Sequence, residues 1–321
     1  MSQQQRTSGN PILPGIGLCD PHVRIYNDKA YLYATHDKSP NNKGYIMEDW
    51  WIWSSPDLVE WTHECTIRPE ETYLGQPYSS CWAVDAIERN GKHYFYFSCG
   101  PRNIGVMESD TPVGPWRDPL GKALLAEGTV PTEIRDPGLF KDDDGEYYIV
   151  FGTWDFFIAR LNEDMISLAE TPRKITIRNP QGPYPNDDKR PTDDKPCLHK
   201  RGGLYYLSWG CYYGISDSVY GDYDCKGSFI LEENVAPSLR FKHLANVPTT
   251  LRYEERCLTY DRHGSFFEWR GQWYFICNEM GVTRNALFRD SSISYVDYFD
   301  DGLIKPIHIT ETGVSLPPED G

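Results

Sequence analysis

The chain has 321 residues, 39% hydrophobic and 25% charged, with a net charge of −15 at pH 7. This composition excludes wholesale disorder, and the acidity argues against nucleic-acid or anionic-membrane partners, because phosphate binding needs a basic footprint. No apolar run approaches the roughly 20 residues that span a bilayer, and an aromatic share of 14% favours strands over helices.

In chain order, the N-terminal stretch has no apolar core and is not a signal peptide, so a cytoplasmic location is expected. Residues 1–12 read as a flexible lead-in. From there an apolar strand, a tight turn and a Tyr-rich strand recur. The five copies run His22–Tyr33, Ala86–Tyr96, Gly138–Ile149, Cys197–Leu207 and Phe266–Phe275. Their turns carry Asn90-Gly91, Asp144-Gly145 and Gly202-Gly203, dipeptides suited to the positive φ of β-hairpins. A second motif, a strand ending in Ser followed by a turn and an aromatic, recurs at Trp51–Trp61, Gly105–Trp116 and Tyr213–Tyr223. Fivefold recurrence predicts an all-β, five-bladed propeller of four-stranded antiparallel blades around an acidic channel. The blades are expected near 18–66, 78–120, 130–178, 190–235 and 255–310, in one catalytic domain spanning 1–321 with a tail at 311–321. Asn179–Asp194 then forms a long inter-blade loop of the kind that shapes sites.

Residues just before each hairpin should converge near one mouth of the channel. They are Asp20, Asp85, Asp136, Asp194 and His263. Converging carboxyls repel one another and separate in pKa, which lets one stay protonated while another stays ionised. The nine cysteines are odd in number and lack CxxC spacing, and read as buried reduced thiols. Asp142–Asp144 reads as a solvated turn, since a calcium loop would need further ligands. No phosphate loop, His-Glu-x-x-His or Gly-x-Ser-x-Gly elbow is present.

From Asn10 to about Ile309 the chain resembles glycoside hydrolase family 43. The marks are Cys-Asp20-Pro-His-Val, Ser54-Ser-Pro-Asp-Leu-Val-Glu-Trp61, Cys81-Trp-Ala-Val-Asp85, Arg135-Asp136-Pro-Gly and Asp261-Arg-His-Gly. The resemblance implies a five-bladed propeller and inverting hydrolysis, with Asp20 as general base and Asp136 as the carboxylate that orients the acid and tunes its pKa. The family's Glu-Gly-Pro before the fourth hairpin is replaced by Asp194-Lys-Pro196. Asp194 is the expected general acid, one methylene short, so either the backbone comes closer or another group donates; Asp193, Glu133, His199 and Glu279 are the reserves. His263 matches a channel histidine that can touch a metal ion through water, so a structural Ca2+ or other ion is the one ion implied, and no cofactor is required. Arg289 resembles the arginine that reaches the substrate or the acids, with Arg284 in competition.

Trp82, Trp154 and Phe156 are candidate sugar-stacking walls, His36 and Asp37 candidate substrate contacts, and Asp85 is expected near the channel mouth. Trp50, Trp51 and Trp53 read as packing between blades. The expected activity is exo-acting α-L-arabinofuranosidase on plant-type oligosaccharides or polysaccharides, with β-xylosidase and exo-β-galactosidase as alternatives. A carbohydrate-binding propeller with weak or lost catalysis is the reading from another class, motivated by the missing Glu. A protein-binding scaffold fits least, since it has no need of converging carboxylates.

Overall fold

The computed structural model describes residues 4–6, 9–184, 187–241, 244–246 and 259–315. Five small sheets are arranged in a ring. Blade one holds β1 (Gln4–Arg6), β2 (Leu18–Tyr26), β3 (Lys29–Asp37), β4 (Met47–Ser55) and β5 (Glu60–Ile67), ordered β1-β5-β4-β3-β2. Blade two holds β6 (Cys81–Arg89), β7 (Lys92–Cys99) and β8 (Asn103–Ser109). Blade three holds β9 (Gly138–Lys141), β10 (Tyr147–Thr153), β11 (Asp155–Arg160) and β12 (Arg173–Lys174). Blade four is built from β14 (Pro196–Arg201), β15 (Leu204–Trp209), β16 (Tyr212–Ser216) and β17 (Tyr223–Ser228), with β13 (Ile177–Arg178) parallel on its edge. Blade five holds β18 (Gly264–Trp269), β19 (Gln272–Glu279) and β20 (Asp290–Val296). The innermost strands β2, β6, β9, β14 and β18 touch in that order around the ring, and β18 returns to β2. The fold is therefore the five-bladed propeller expected, though its blades hold three to five strands rather than a uniform four.

The hairpins form where the sequence supplies positive φ. Both central residues are left-handed at Asn27-Asp28, Asn90-Gly91, Gly202-Gly203 and Arg270-Gly271, the geometry whose twist matches flanking strands. Aromatic residues alternating along the strands then fill the gaps between blades. Trp50 packs against Phe97 at 4.9 Å between blades one and two. Trp53 and Trp61 join Phe267 and Tyr274 between blades one and five. Each such side chain contributes about 1.5–3 kcal/mol when fully buried. Trp51 is the exception to the packing expected of it, being half-buried and stacked on His36 at 4.0 Å.

The 1–12 lead-in, expected to be flexible, pairs with β5 through β1 and is held again from residue 10. Asn10 donates its backbone N–H to Glu311 and its side-chain amide to the carbonyls of Ile293 and Thr310, while Ile12 bridges to Ser291 on β20. The N-terminal segment thus latches the ring against the third strand of blade five. Eight cysteines are free, six of them buried, as expected of reduced thiols; Cys257 lies outside the described residues. No helix among the described residues is long and apolar enough to cross a membrane.

Spacing between blades three and four is set by a glycine. A Cβ on Gly138 would sit 2.4 Å from the Pro196 carbonyl oxygen and 3.0 Å from Val150 Cγ1. Gly138→Ala is expected to cost about 1–3 kcal/mol, the range for overpacking, read as a lower urea midpoint; an unchanged midpoint would show that the two blades can part freely.

Candidate active site

The inner strands enter the channel through backbone that L-residues rarely adopt. Asp20, Asp136, Lys195 and Asp261 all have left-handed φ, between +49° and +59°. Such strain persists only where surrounding contacts over-determine it, and it clusters at functional sites. Asp136, Lys195 and Asp261 precede inner strands, and Asp20 sits inside β2 at the break in register between Cys19 and His22.

A cavity of about 280 Å3 lies at one end of the channel, at the small limit of small-molecule sites. Its lining includes Asp20, Asp136, Asp193, Asp194, Asp261 and His263. Trp82 and Trp154 form walls, Arg135 and Arg289 supply the guanidinium groups, and Tyr45, Tyr184 and Tyr260 line the rest of the rim with Met47 and Glu133. The His263 imidazole sits among the acids. Its Nδ1 faces Asp261 at 2.8 Å and Asp20 at 3.2 Å, while its Nε2 contacts Asp194 closely and lies 3.5 Å from Asp193. Burial alone would lower its pKa, but Asp194, Asp261 and Asp193 raise it well above the ordinary value. His263 is therefore biased toward its charged form, with carboxyls facing both ring nitrogens.

The carboxyls separate as converging acids should. Burial pushes the Asp20 carboxyl up, yet Arg289, His263 and Asn278 hold it well below the usual carboxylate range. Asn278 braces it twice, donating to Asp20 Oδ1 at 3.0 Å and accepting the Asp20 backbone N–H at 2.7 Å. Asp136 is raised to about 7 by burial and by the charges of Asp194 and Asp20, against the pull of Arg135. Its backbone N–H donates to Ser98 Oγ at 2.8 Å, and its Oδ2 accepts the Lys195 backbone N–H at 3.2 Å.

The blade-four pair divides most clearly. Asp194 is held at about 2, because His263 and Arg135 outweigh burial; its Oδ2 lies 2.9 Å from Arg135 Nη1. Asp193 has no guanidinium partner, and its Oδ2 lies 3.5 Å from His263 Nε2. Burial, helped by the charges of Asp194 and Asp261 and opposed by His263, lifts it to about 6. Asp194, the expected acid, and its reserve Asp193 thus both face His263 from blade four, with Asp193 the more easily protonated of the two.

Several expected contacts lie elsewhere. Asp37 is fully buried and chelates Arg289, through Nε at 3.0 Å and Nη2 at 3.1 Å, so it positions the arginine rather than facing the cavity. His36 points away, held by Asp49 at 2.8 Å and by Trp51. Phe156 is buried in the core beside Trp209. Asp85 lies deeper in the channel, gripped by Arg24 and by the Leu139 N–H. Of the reserve residues only Asp193 and Glu133 reach the cavity. His199 stacks on Tyr206 and Phe266, and Glu279 pairs with Arg262 at 3.8 Å in the interior. Arg284 is exposed, so Arg289 is the arginine that enters. Residues not singled out beforehand are Arg135, Asp261, Asn278 and the three tyrosines. Arg135 and Asp261 stand inside quoted motifs, which was the available signal.

Asp20, Asp261 and His263, and likewise Asp193, Asp194 and His263, bring one ligand atom each to within 4.8 Å of the others. The acidic cluster could therefore hold a metal ion. Its oxygen-rich donor set suits a hard cation such as calcium, but either position would require His263 to give up a proton or to be met through water.

The sequence profile of glycosyl hydrolases family 43 matches residues 8–304. The beta-D-galactofuranosidase xynD of Aspergillus niger is 29% identical, over 96% of this chain and 87% of that protein. The xylosidase/arabinosidase of Bacteroides ovatus is 24% identical, over 93% of this chain and 97% of that one. Among solved structures, the beta-xylosidase/alpha-arabinofuranosidase CoXyl43 from a compost metagenome, in complex with xylotriose and described as a calcium-free form, superposes with a TM-score of 0.74 at 24% identity, over 95% of this chain and 98% of that one. With its profile matched across nearly the whole propeller, the chain belongs to glycoside hydrolase family 43 and is a glycoside hydrolase.

Proposed function

We propose that the protein is an inverting, exo-acting glycosidase that removes a terminal furanosyl unit, α-L-arabinofuranose first, from plant-type glycans. The observation that carries this reading is the small cavity in which Asp20 and the blade-four pair Asp193–Asp194 face opposite nitrogens of one imidazole. A ring's width between base and acid supports the wider carboxyl spacing, about 6.5–9.5 Å, that leaves room for a water. Among the relatives, the beta-D-galactofuranosidase of Aspergillus niger and the arabinosidase activity in the name of the Bacteroides ovatus xylosidase/arabinosidase support a furanose in that cavity. α-L-Arabinofuranose and β-D-galactofuranose share their ring configuration, so one pocket can serve either.

In this mechanism Asp20 takes a proton from the attacking water while Arg289 and Asn278 fix its orientation. Asp193 gives a proton to the leaving oxygen, and Asp194, pinned by Arg135 and His263, holds the donor's surroundings in place. Asp136 modulates the pair from blade three. Because the two blade-four carboxyls titrate as a unit, the donating form is lost as pH rises through about 6, the value to which Asp193 is raised.

The test is an aryl-glycoside panel of α-L-arabinofuranoside, β-D-galactofuranoside and β-D-xyloside, with the first-formed anomer followed by NMR. Furanoside turnover with inversion is expected; cleavage of the xyloside alone, or retention, would overturn the reading. On an oligosaccharide, kcat/KM should fall on the alkaline side with an apparent pKa near 6, and Asp193→Asn should lose about 10²–10⁴-fold. If Asp194→Asn shows that loss and Asp193→Asn does not, the donor is Asp194.

A further inference from the structure

Beneath the acids the channel is not empty. Lys195 is 1% exposed, and its side chain runs down the channel axis from the start of β14. Its Nζ donates to His22 Nδ1 at 2.6 Å and to the Val84 carbonyl at 3.2 Å. His22 Nδ1 also lies 3.0 Å from the Val84 carbonyl, and its Nε2 faces Asp85 Oδ2 at 3.4 Å. Asp85 is in turn held by Arg24, whose Nη2 also donates to the Leu139 carbonyl at 2.7 Å. Blades one, two, three and four therefore meet on a buried polar column that runs from Lys195 through His22 and Asp85 to Arg24.

Two features show that this lysine is present for its side chain. Its backbone is left-handed, a conformation glycine adopts freely and lysine does not. Its ammonium is also removed from water, which is tolerated only when it is hydrogen-bonded and matched by charge. Lys195 lies between Asp194 and Pro196 at the mouth of blade four, and its own N–H holds Asp136 Oδ2 at 3.2 Å. The side chain fastens that short segment to His22 of blade one and Val84 of blade two.

We infer that Lys195 is a positioning residue that anchors the Asp193–Asp194 proton-donating segment to the channel floor, setting how far the short aspartate side chains reach toward the leaving oxygen. The inference rests on the reading of blade four as the donor side. Its signature is a dependence on the leaving group. A dinitrophenyl glycoside needs almost no protonation to depart, whereas a sugar leaving group needs it fully, so a misplaced donor harms the second far more than the first.

Lys195→Gly relieves the backbone and removes the anchor, and Lys195→Met fills the shaft without an ammonium. Both variants should lose about 10²-fold in kcat on an oligosaccharide, as expected for roughly 1 Å of misplacement. The loss on the dinitrophenyl glycoside should be much smaller. Hydrogen exchange across residues 192–197 should quicken in both, a readout independent of turnover. Equal losses on the two substrates, no loss on either, or failure of both variants to fold would overturn the inference, since the lysine would then be a strut or inert. Wild-type inactivity on both substrates would instead defeat the glycosidase reading, and unchanged exchange in that case would defeat the anchor as well.

Discussion

Asp20→Asn is expected to abolish hydrolysis, by about 10²–10⁴-fold or more, on activated and unactivated substrates alike. The argument follows from what the base does: the attacking water must lose a proton whatever group departs, so no leaving group rescues the variant. Asparagine tolerates the left-handed φ of +50° at this position. It can also keep the two bonds to Asn278, through the backbone N–H and Oδ1. The variant should therefore fold, and its melting curve should stay cooperative. In the wild type the Asp20 pKa lies below its ordinary value, so the ionised form persists as pH falls and is lost only on passing through the depressed pKa. The acidic limb of kcat/KM should accordingly lie below the usual carboxylate range. Full activity of Asp20→Asn on an aryl furanoside would remove Asp20 from the mechanism.

The propeller was legible because its signals are local. Asn90-Gly91 and Gly202-Gly203 announce their hairpins whatever surrounds them, and five such hairpins at regular intervals leave little choice of fold. Asp20 and Asp136 were legible for the same reason, since a residue shortly before a hairpin on the innermost strand is carried to the mouth of the channel. What failed depends on strand faces and cross-blade packing. His36 and Asp37 cannot both contact substrate, because successive strand residues point to opposite sides; one meets Trp51 outside and the other Arg289 within. Trp154 and Phe156 part for a related reason. Trp154 occupies a left-handed turn into β11, its N–H bound to the Asp193 carbonyl, and the strand that follows directs Phe156 to the core. The division between Asp193 and Asp194 was beyond the sequence, because it is decided by Arg135 from another blade. Tyr45 of blade one and Tyr260 before blade five meet at 2.6 Å where the ring closes, 215 residues apart in sequence, which no local pattern encodes.

Arg289→Met should be the most destabilising single change at the site. Its guanidinium is 3% exposed and serves three carboxylates: Asp37 through Nε and Nη2, Asp261 at 3.2 Å and Asp20 at 3.4 Å through Nη1. Removing it strands Asp37 in a fully buried position that retains only the Arg289 backbone N–H, at 2.8 Å. Breaking a buried pair in this way costs about 3–5 kcal/mol, against a total stability of about 5–15 kcal/mol. The second variant separates stability from chemistry. Arg289→Met combined with Asp37→Leu exchanges the pair for apolar groups of similar size, so much of the lost stability should return. Activity should not return with it, because Asp20 still lacks the cation that holds its carboxyl low and must compete for charge with Asp261 and Asp136. The acidic limb of kcat/KM should then move to higher pH, toward and past the ordinary carboxylate value. Chemical denaturation and a pH profile on one aryl furanoside measure both halves. If the double variant regains stability and activity together, Arg289 is only a counter-ion for Asp37; if it regains stability alone, the arginine also sets the charge state of the base.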